Sequence, residues 1–295
     1  MPGTTTSSSS RQSSYQGQRG RPVQQRRRPT SGGPRRSRPS VDPATSALDA
    51  ALDAASKAPE PAERSFAELG LPAKLVQALA LAGVHTPFAI QRRTLPDALA
   101  GHDVLGRAQT GSGKTLGFGL PVLARLEGAR RTTKAPRGLV LVPTRELAVQ
   151  VAKALTPLAG SIGLRVTTVY GGAPIGRQIA DLERGVDLVV ATPGRLIDLL
   201  ERRSVVLDRV EIAVLDEADY MADLGFMPAV KQILDLTPDG GQRMLFSATL
   251  DRGVGTLVHA YLNEPKVHAV APATSSIVTM DHRVLSVRNL SLIHI

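Results

Sequence analysis

Apolar and polar positions along the chain fall into a repeating rhythm. Short runs that are apolar or β-branched recur at DVLGRA (103–108), GLVLVP (138–143), RVTTVY (165–170), VDLVVA (186–191), VEIAVL (210–215) and RMLFSA (243–248). Between them lie segments with helical spacing of apolar residues, such as TRELAVQVAKALTPL and FMPAVKQILDL. Continuous apolar runs of this length read as strands covered on both faces, and strand–helix alternation calls for parallel crossovers. The predicted fold is therefore α/β, a doubly wound, mostly parallel sheet. In such sheets, ligands bind beyond the carboxyl ends of the strands.

The N-terminal part lacks this rhythm. Residues 1–40 are built from Arg, Gln, Ser, Gly and Pro, and that composition predicts a disordered tail. SALDAALDAASK (46–57) has the composition of a short Ala-rich helix, with Leu48 and Leu52 four apart, and APEPAE (58–63) ends it. The expected boundaries are a tail over 1–63, one folded domain over 64–272 with order beginning near Ser65, and a separate C-terminal segment over 273–295.

Charge sharpens that division. The net charge is +10, but nine Arg and no acid lie in residues 1–40, so the remaining 27 Lys and Arg face 26 Asp and Glu. A basic tail is joined to a nearly neutral domain. Aromatic residues make up only 3% and Trp is absent, so the core must be largely aliphatic. There is no Cys, which excludes disulfides and thiolate metal sites. The six His are scattered, with no i, i+4 pair, and do not form a metal-binding pattern. No apolar run approaches the roughly 18 residues of a membrane span. The N-terminus has no secretory apolar core; its Arg- and Ser-rich, acid-poor character also suits an organelle transit peptide. The expected location is cytoplasmic.

Two stretches carry the chemistry. AQTGSGKT (108–115) stands between a strand and a helix. Gly111 and Gly113 let successive N–H groups turn into one concavity, Lys114 can reach β- and γ-phosphates, and Thr115 can offer its hydroxyl to Mg²⁺. The general pattern begins with Gly where this chain has Ala108. LDEADYMADLGF (215–226) crowds Asp216, Glu217 and Asp219 at the end of an apolar run. Taken alone, it reads as an acidic, solvated helix start. Beside a phosphate loop about 100 residues earlier, Asp216 fits a metal-orienting acid and Glu217 a group that activates water.

DEAD (216–219), AQTGSGKT, PTRELA (143–148), TPGR (192–195) and SAT (247–249), in this order and spacing, resemble the first, RecA-like domain of a DEAD-box RNA helicase. YGG (170–172) and DLGF (223–226) also match, and the likeness covers about residues 66–270. The resemblance implies ATP and Mg²⁺ as cofactors. Ala108, Gln109, Thr110, Gly111, Ser112, Gly113, Lys114 and Thr115 would cradle the nucleotide, with Thr115 and Asp216 on the metal. Glu217 and Lys114 would be catalytic. Gln91 would read adenine and Phe66 would stack on it. Asp219, Ser247 and Thr249 would couple nucleotide state to RNA. RNA would lie on Pro143, Thr144, Arg145, Gly171, Gly172, Thr192, Pro193, Gly194 and Arg195, contacted through its backbone and 2′-OH groups with little sequence specificity.

The adenine motif GVHTPFAIQ (83–91) departs from the family: Val84 replaces an aromatic residue and Phe88 replaces Thr or Ser, which removes a hydroxyl link to the phosphate loop. The basic loop RLEGARRTTKAPRG (125–138) reads as a solvated connection. DHRVLSV (281–287) resembles the first strand of the family's second helicase domain, whereas RNLSLIHI (288–295) does not resemble the family; the expectation is a chain truncated at the start of that domain. An RNA-binding module with a silent ATP site is the alternative reading.

Overall fold

The computed structural model describes residues 43–128 and 130–270. In chain order the elements are α1 Pro43–Lys57, α2 Ala73–Leu81, α3 Ala89–Leu99, β1 Val104–Arg107, α4 Lys114–Leu126, β2 Gly138–Leu141, α5 Arg145–Ser161, β3 Val166–Val169, α6 Ile175–Glu183, β4 Leu188–Ala191, α7 Pro193–Glu201, β5 Ile212–Leu215, α8 Ala218–Asp223, α9 Met227–Asp235, β6 Gln242–Ser247, α10 Arg252–Tyr261 and β7 Lys266–Ala269. All six strands anticipated from the apolar runs form. With β7 they join in one seven-stranded sheet of order β3-β4-β2-β5-β6-β1-β7, and every pairing is parallel.

The sheet is doubly wound, in the RecA-like arrangement. Val104, Val140, Val190, Val214 and Phe246 face a core shared with α2, α3, α4 and α5. Their neighbours Leu105, Leu139, Val189, Ala213 and Leu245 face a second core on the opposite side. Because both faces are covered, β2, β4 and β5 are buried at every position and show no polar alternation. Edge strand β3 is half open and does alternate, as Val166 and Thr168 are less buried than Thr167 and Val169. On one face α4 packs against α5 so closely that a methyl group on Gly119 would come within 2.3 Å of Leu155 Cδ2.

Three expectations need correction. Edge strand β7 was not anticipated, because Lys266-Val-His-Ala carries only one strong apolar residue. The helix expected over 46–57 does form, as α1, but it belongs to the domain and not to a tail. Leu52 is fully buried in the second core, with Leu48 and Ala55 packed against it. Arg107 donates to Leu52 O and Asp53 Oδ1, and Arg93 donates to Ala58 O and Pro59 O. An apolar helix stripe needs cover, and an unpaired edge strand also needs shielding; α1 and β7 satisfy one another. The folded domain therefore begins at least as early as Pro43, whereas the expected 273–295 segment and the basic tail over 1–40 lie outside the described residues. The basic loop is also not simply solvated. Arg131 Nε lies 2.7 Å from Asp187 Oδ2, and Arg137 pairs with Glu211 at 2.7 Å and donates to Leu126 O.

Candidate functional site

The chemistry-bearing stretches all follow strands, so the parallel sheet delivers them to one edge. β1 runs into the phosphate loop, β2 into Pro143–Arg145, β3 into Tyr170–Gly172, β4 into Thr192, β5 into Asp216, and β6 ends at Ser247. β5 and β1 both flank β6, which brings the acids towards the loop.

Gly111 and Gly113 take left-handed φ values of +87° and +89°, which a side chain would strain. Gly113 is the N-cap of α4, so the start of a thirteen-residue helix points its free N–H groups into the loop. Gln109 and Thr110 are exposed and Ala108 is buried. Lys114 is only 5% exposed, and its Nζ donates to Ala108 O at 3.1 Å and to Glu217 Oε1 at 2.8 Å. Thr110 Oγ1 donates to the same carboxylate oxygen at 3.1 Å. Ser112 Oγ, by contrast, is buried with no hydrogen-bond partner. An uncommitted hydroxyl, an ammonium and a helix start around one glycine turn suit a polyphosphate.

Asp216 is 4% exposed. Burial pushes its carboxyl up to about 7; Lys114 pulls it down, and Glu217 and Asp219 push it up. A buried acid with two acidic neighbours is a site whose charged form a cation would stabilise, so its oxygens and the Thr115 hydroxyl fit hard-cation chemistry. Glu217 is held at φ +52°, a costly conformation for a residue with a side chain, and it starts α8. That turn aims its carboxylate at Lys114.

Asp219 lies one residue beyond Ala218. Its Oδ2 accepts from both Thr249 N and Thr249 Oγ1 at 2.9 Å, and its N–H donates to Ser247 Oγ at 3.2 Å. Burial raises the Asp219 carboxyl, but the hydrogen bonds from Thr249 and Ser247 outweigh it and the net shift is downward. Thr110, Glu217, Asp219 and Thr249, with Tyr220 and Asp251, line an open cleft of about 460 Å³.

A second cleft of about 480 Å³ gathers Pro143, Arg145, Gly171, Thr192, Gly194 and Arg195, together with Asp198 and Phe226. Thr144 caps α5 by accepting from Leu147 N at 3.3 Å. Thr192 is the N-cap of α7, with Pro193 as first residue and no side-chain cap bond, so its hydroxyl is not used there. Arg145 stacks 5.2 Å over the Tyr170 ring, and Arg195 donates to Ala173 O at 3.1 Å. Gly172 lines the adjoining cleft on the other side of Arg145. Sequence reasoning had not singled out Tyr170, Asp198 or Phe226 as cleft residues, although YGG and DLGF contain two of them.

The adenine-motif residues are both buried. Phe66 is 2% exposed in the first core and presents no open face. Gln91 is 1% exposed and both ends of its amide are engaged: Oε1 accepts from Phe88 N and Nε2 donates to Gly113 O, each at 2.9 Å. The link between this motif and the phosphate loop thus persists without the missing hydroxyl, carried by Gln91.

Fold and site together define a RecA-like P-loop domain with an acidic turn facing its lysine. The chain belongs to the DEAD/DEAH box helicase family, whose model matches residues 88–257, more than half of the chain. It is 44% identical over 216 residues to RNA helicase CrhR of Synechocystis sp., a match covering 72% of this chain and 42% of that protein. It is also 44% identical over 208 residues to ATP-dependent RNA helicase DeaD of Mycobacterium tuberculosis, covering 70% of this chain and 36% of that one. The crystal structure of a DEAD box protein from the hyperthermophile Methanococcus jannaschii superimposes with a TM-score of 0.66 at 34% identity, covering 71% of this chain and 57% of that chain. The matched region spans less than half the length of both curated relatives. Among the described residues, no helix is long and apolar enough to cross a membrane.

Proposed function

We propose that this domain binds ATP with Mg²⁺ and, with a second RecA-like helicase domain, couples ATP hydrolysis to the remodelling of RNA duplexes or RNA–protein complexes. The observation that carries this reading is the pairing of Lys114, in the phosphate loop, with Glu217 beside the buried Asp216, with Asp219 tied to Ser247 and Thr249 alongside.

The residues divide the work by charge. Lys114 exchanges Glu217 for β- and γ-phosphate oxygens, and the Ser112 hydroxyl and the start of α4 complete the grip. Glu217, released from the ammonium, accepts a proton from the attacking water. The Thr115 hydroxyl and Asp216 would hold Mg²⁺, which would supply charge neutralisation at the phosphates. RNA backbone phosphates rest on the starts of α5 and α7 beside Arg145 and Arg195, and the 2′-OH groups select RNA over DNA.

The test measures nucleotide binding by calorimetry and hydrolysis with and without single-stranded RNA. The comparison is made in this chain and in a longer chain carrying a second helicase domain. ADP binding that is lost in Lys114→Ala, and RNA-stimulated turnover in the longer chain that is lost in Glu217→Gln, are expected. RNA binding without turnover in either chain would instead identify an RNA-binding module with a silent ATP site.

A further inference from the structure

Arg145 lines two clefts. One is the groove that also holds Thr192 and Arg195. The other, of about 440 Å³, follows the free edge of β3 and is lined by Thr168, Tyr170, Arg177 and Gln178. Gly171 borders the first cleft and Gly172 the second. A methyl group on Gly171 would meet nothing within 4 Å, so the backbone between the clefts is bare and a polymer can pass close over it.

The second cleft has unmet bonding capacity. Gln178 is only 6% exposed. Its Nε2 donates to Tyr170 O at 3.0 Å, which leaves Oε1 buried in the wall without a hydrogen-bond partner. An amide oxygen only accepts, so it needs a donor. Arg177 is exposed, and its guanidinium makes no hydrogen bond or ion pair with a described residue. Pro174 is the N-cap of α6 at the same cleft, with no side-chain cap bond, so helix N–H groups are free there. The one acid in the lining, Asp181, is engaged by Arg184 and Thr167. Two guanidiniums and a helix start disfavour a metal cation and favour an anion. A fitting ligand presents an anion and a hydrogen-bond donor together.

We propose that this cleft is a further RNA subsite, next to the groove: a backbone phosphate lies on Arg177 and the start of α6, and a ribose 2′-OH donates to Gln178 Oε1. The inference rests on the RNA-binding reading above and extends it to two residues outside the motifs. A phosphodiester has no donor of its own, whereas a ribonucleotide carries phosphate and hydroxyl side by side. Deoxyribose leaves Gln178 unpartnered, so the subsite adds to the selection of RNA over DNA.

The experiment uses the full chain and a single-stranded RNA of about ten nucleotides. One 4-thiouridine is moved along the strand, irradiation attaches it to neighbouring residues, and mass spectrometry identifies them. Positions attached to residues 143–145 or 192–195 mark the groove, and an adjacent position is expected to attach to Tyr170 or to residues 172–178. At that position a single 2′-deoxy substitution should weaken binding by about 2- to 10-fold, the range of one hydrogen bond. The same substitution should cost nothing in Gln178→Met. Arg177→Ala should reduce attachment in the cleft, leave attachment in the groove unchanged, and make the salt slope shallower by about 0.7. Thermal melting checks both variants; because Gln178 also holds Tyr170 O, Arg177→Ala decides if Gln178→Met does not fold. Attachment in the groove with none in the cleft overturns the inference. So does a 2′-deoxy effect that is absent from the wild type or equally large in Gln178→Met, or cleft attachment unchanged in Arg177→Ala. Attachment at neither place, with only the tail labelled, would mean that the RNA-binding reading itself fails.

Discussion

Lys114 Nζ and Glu217 Oε1 lie 2.8 Å apart, with side chains only 5% and 13% exposed. The residue that would grip phosphate and the one that would activate water are each other's partner. Separating them without a replacement strands two poorly hydrated charges, so an incoming polyphosphate must both free Glu217 and take over Lys114. Lys114→Ala is expected to weaken ADP binding by at least about 10- to 100-fold, the range for a lost hydrogen bond to a charged group. Glu217→Gln should leave ADP affinity equal or tighter while removing hydrolysis. Calorimetry and a turnover assay check the pair; weaker ADP binding in Glu217→Gln would contradict the exchange.

Asp216 makes stability depend on pH. Its folded value of about 7 lies above the ordinary 3.8, so the folded state holds the proton more tightly than the unfolded chain. The stabilisation from the protonated form is complete below about pH 4 and is lost as pH rises through about 7. In metal-free protein the difference between the extremes should be on the order of 2–4 kcal/mol. Asp216→Asn should remove this fall and melt higher than the wild type at pH 8. Added Mg²⁺ should raise the wild-type melting temperature at pH 8 and not that of the variant. A wild type whose melting curve matches the variant's at every pH rules this out.

Thr249 gives Asp219 two of its hydrogen bonds, through N and Oγ1. Thr249→Ala removes the second and keeps the first. Because the site is partly exposed, the cost in stability should be about 1 kcal/mol. RNA-stimulated turnover in a two-domain chain is expected to fall while ADP affinity holds. A parallel loss of ADP affinity would mean that Thr249 shapes the nucleotide site directly.

The tail and the domain should be separable by salt. Nine Arg in residues 1–40 outnumber the domain's balance of one positive charge. If most of them neutralise phosphates of single-stranded RNA, log K should fall against log salt with a slope of roughly −6, at about −0.7 per phosphate. Deleting residues 1–40 should flatten it to about −2 and leave ADP affinity unchanged. The same slope after deletion would assign the charge to the fold.

Leu52 tests whether α1 belongs to the domain. It is fully buried against the second core. Leu52→Ala should cost about 2–5 kcal/mol, read by chemical denaturation. A loss below about 0.5 kcal/mol would return α1 to the tail.

Much of the fold is legible in the residue pattern because a parallel sheet covered on both faces writes each inner strand as an unbroken apolar run. β2, β4 and β5 are such cases. β7 is not: Lys266 and His268 sit where an edge strand tolerates them, and only pairing with β1, under the cover of α1, makes the segment a strand. Leu48 and Leu52 mark α1 as apolar on one side, but no local rule states that the stripe finds a sheet edge.

The candidate site divides in the same way. The sequence by itself determined the phosphate loop, the acidic turn and the strand that precedes each, because backbone bending, helix starts and charge spacing are local properties. Tertiary structure alone decided who faces whom. Strand order β5-β6-β1 brings Glu217 to Lys114, more than 100 positions apart in the chain, and carries Asp219 to Thr249. It also buries Phe66, turns both ends of the Gln91 amide inward and leaves the Phe88 ring open on Gly113. A residue's type limits what it can do, but which side chains lose contact with water depends on how distant segments pack, and that depends on the whole chain.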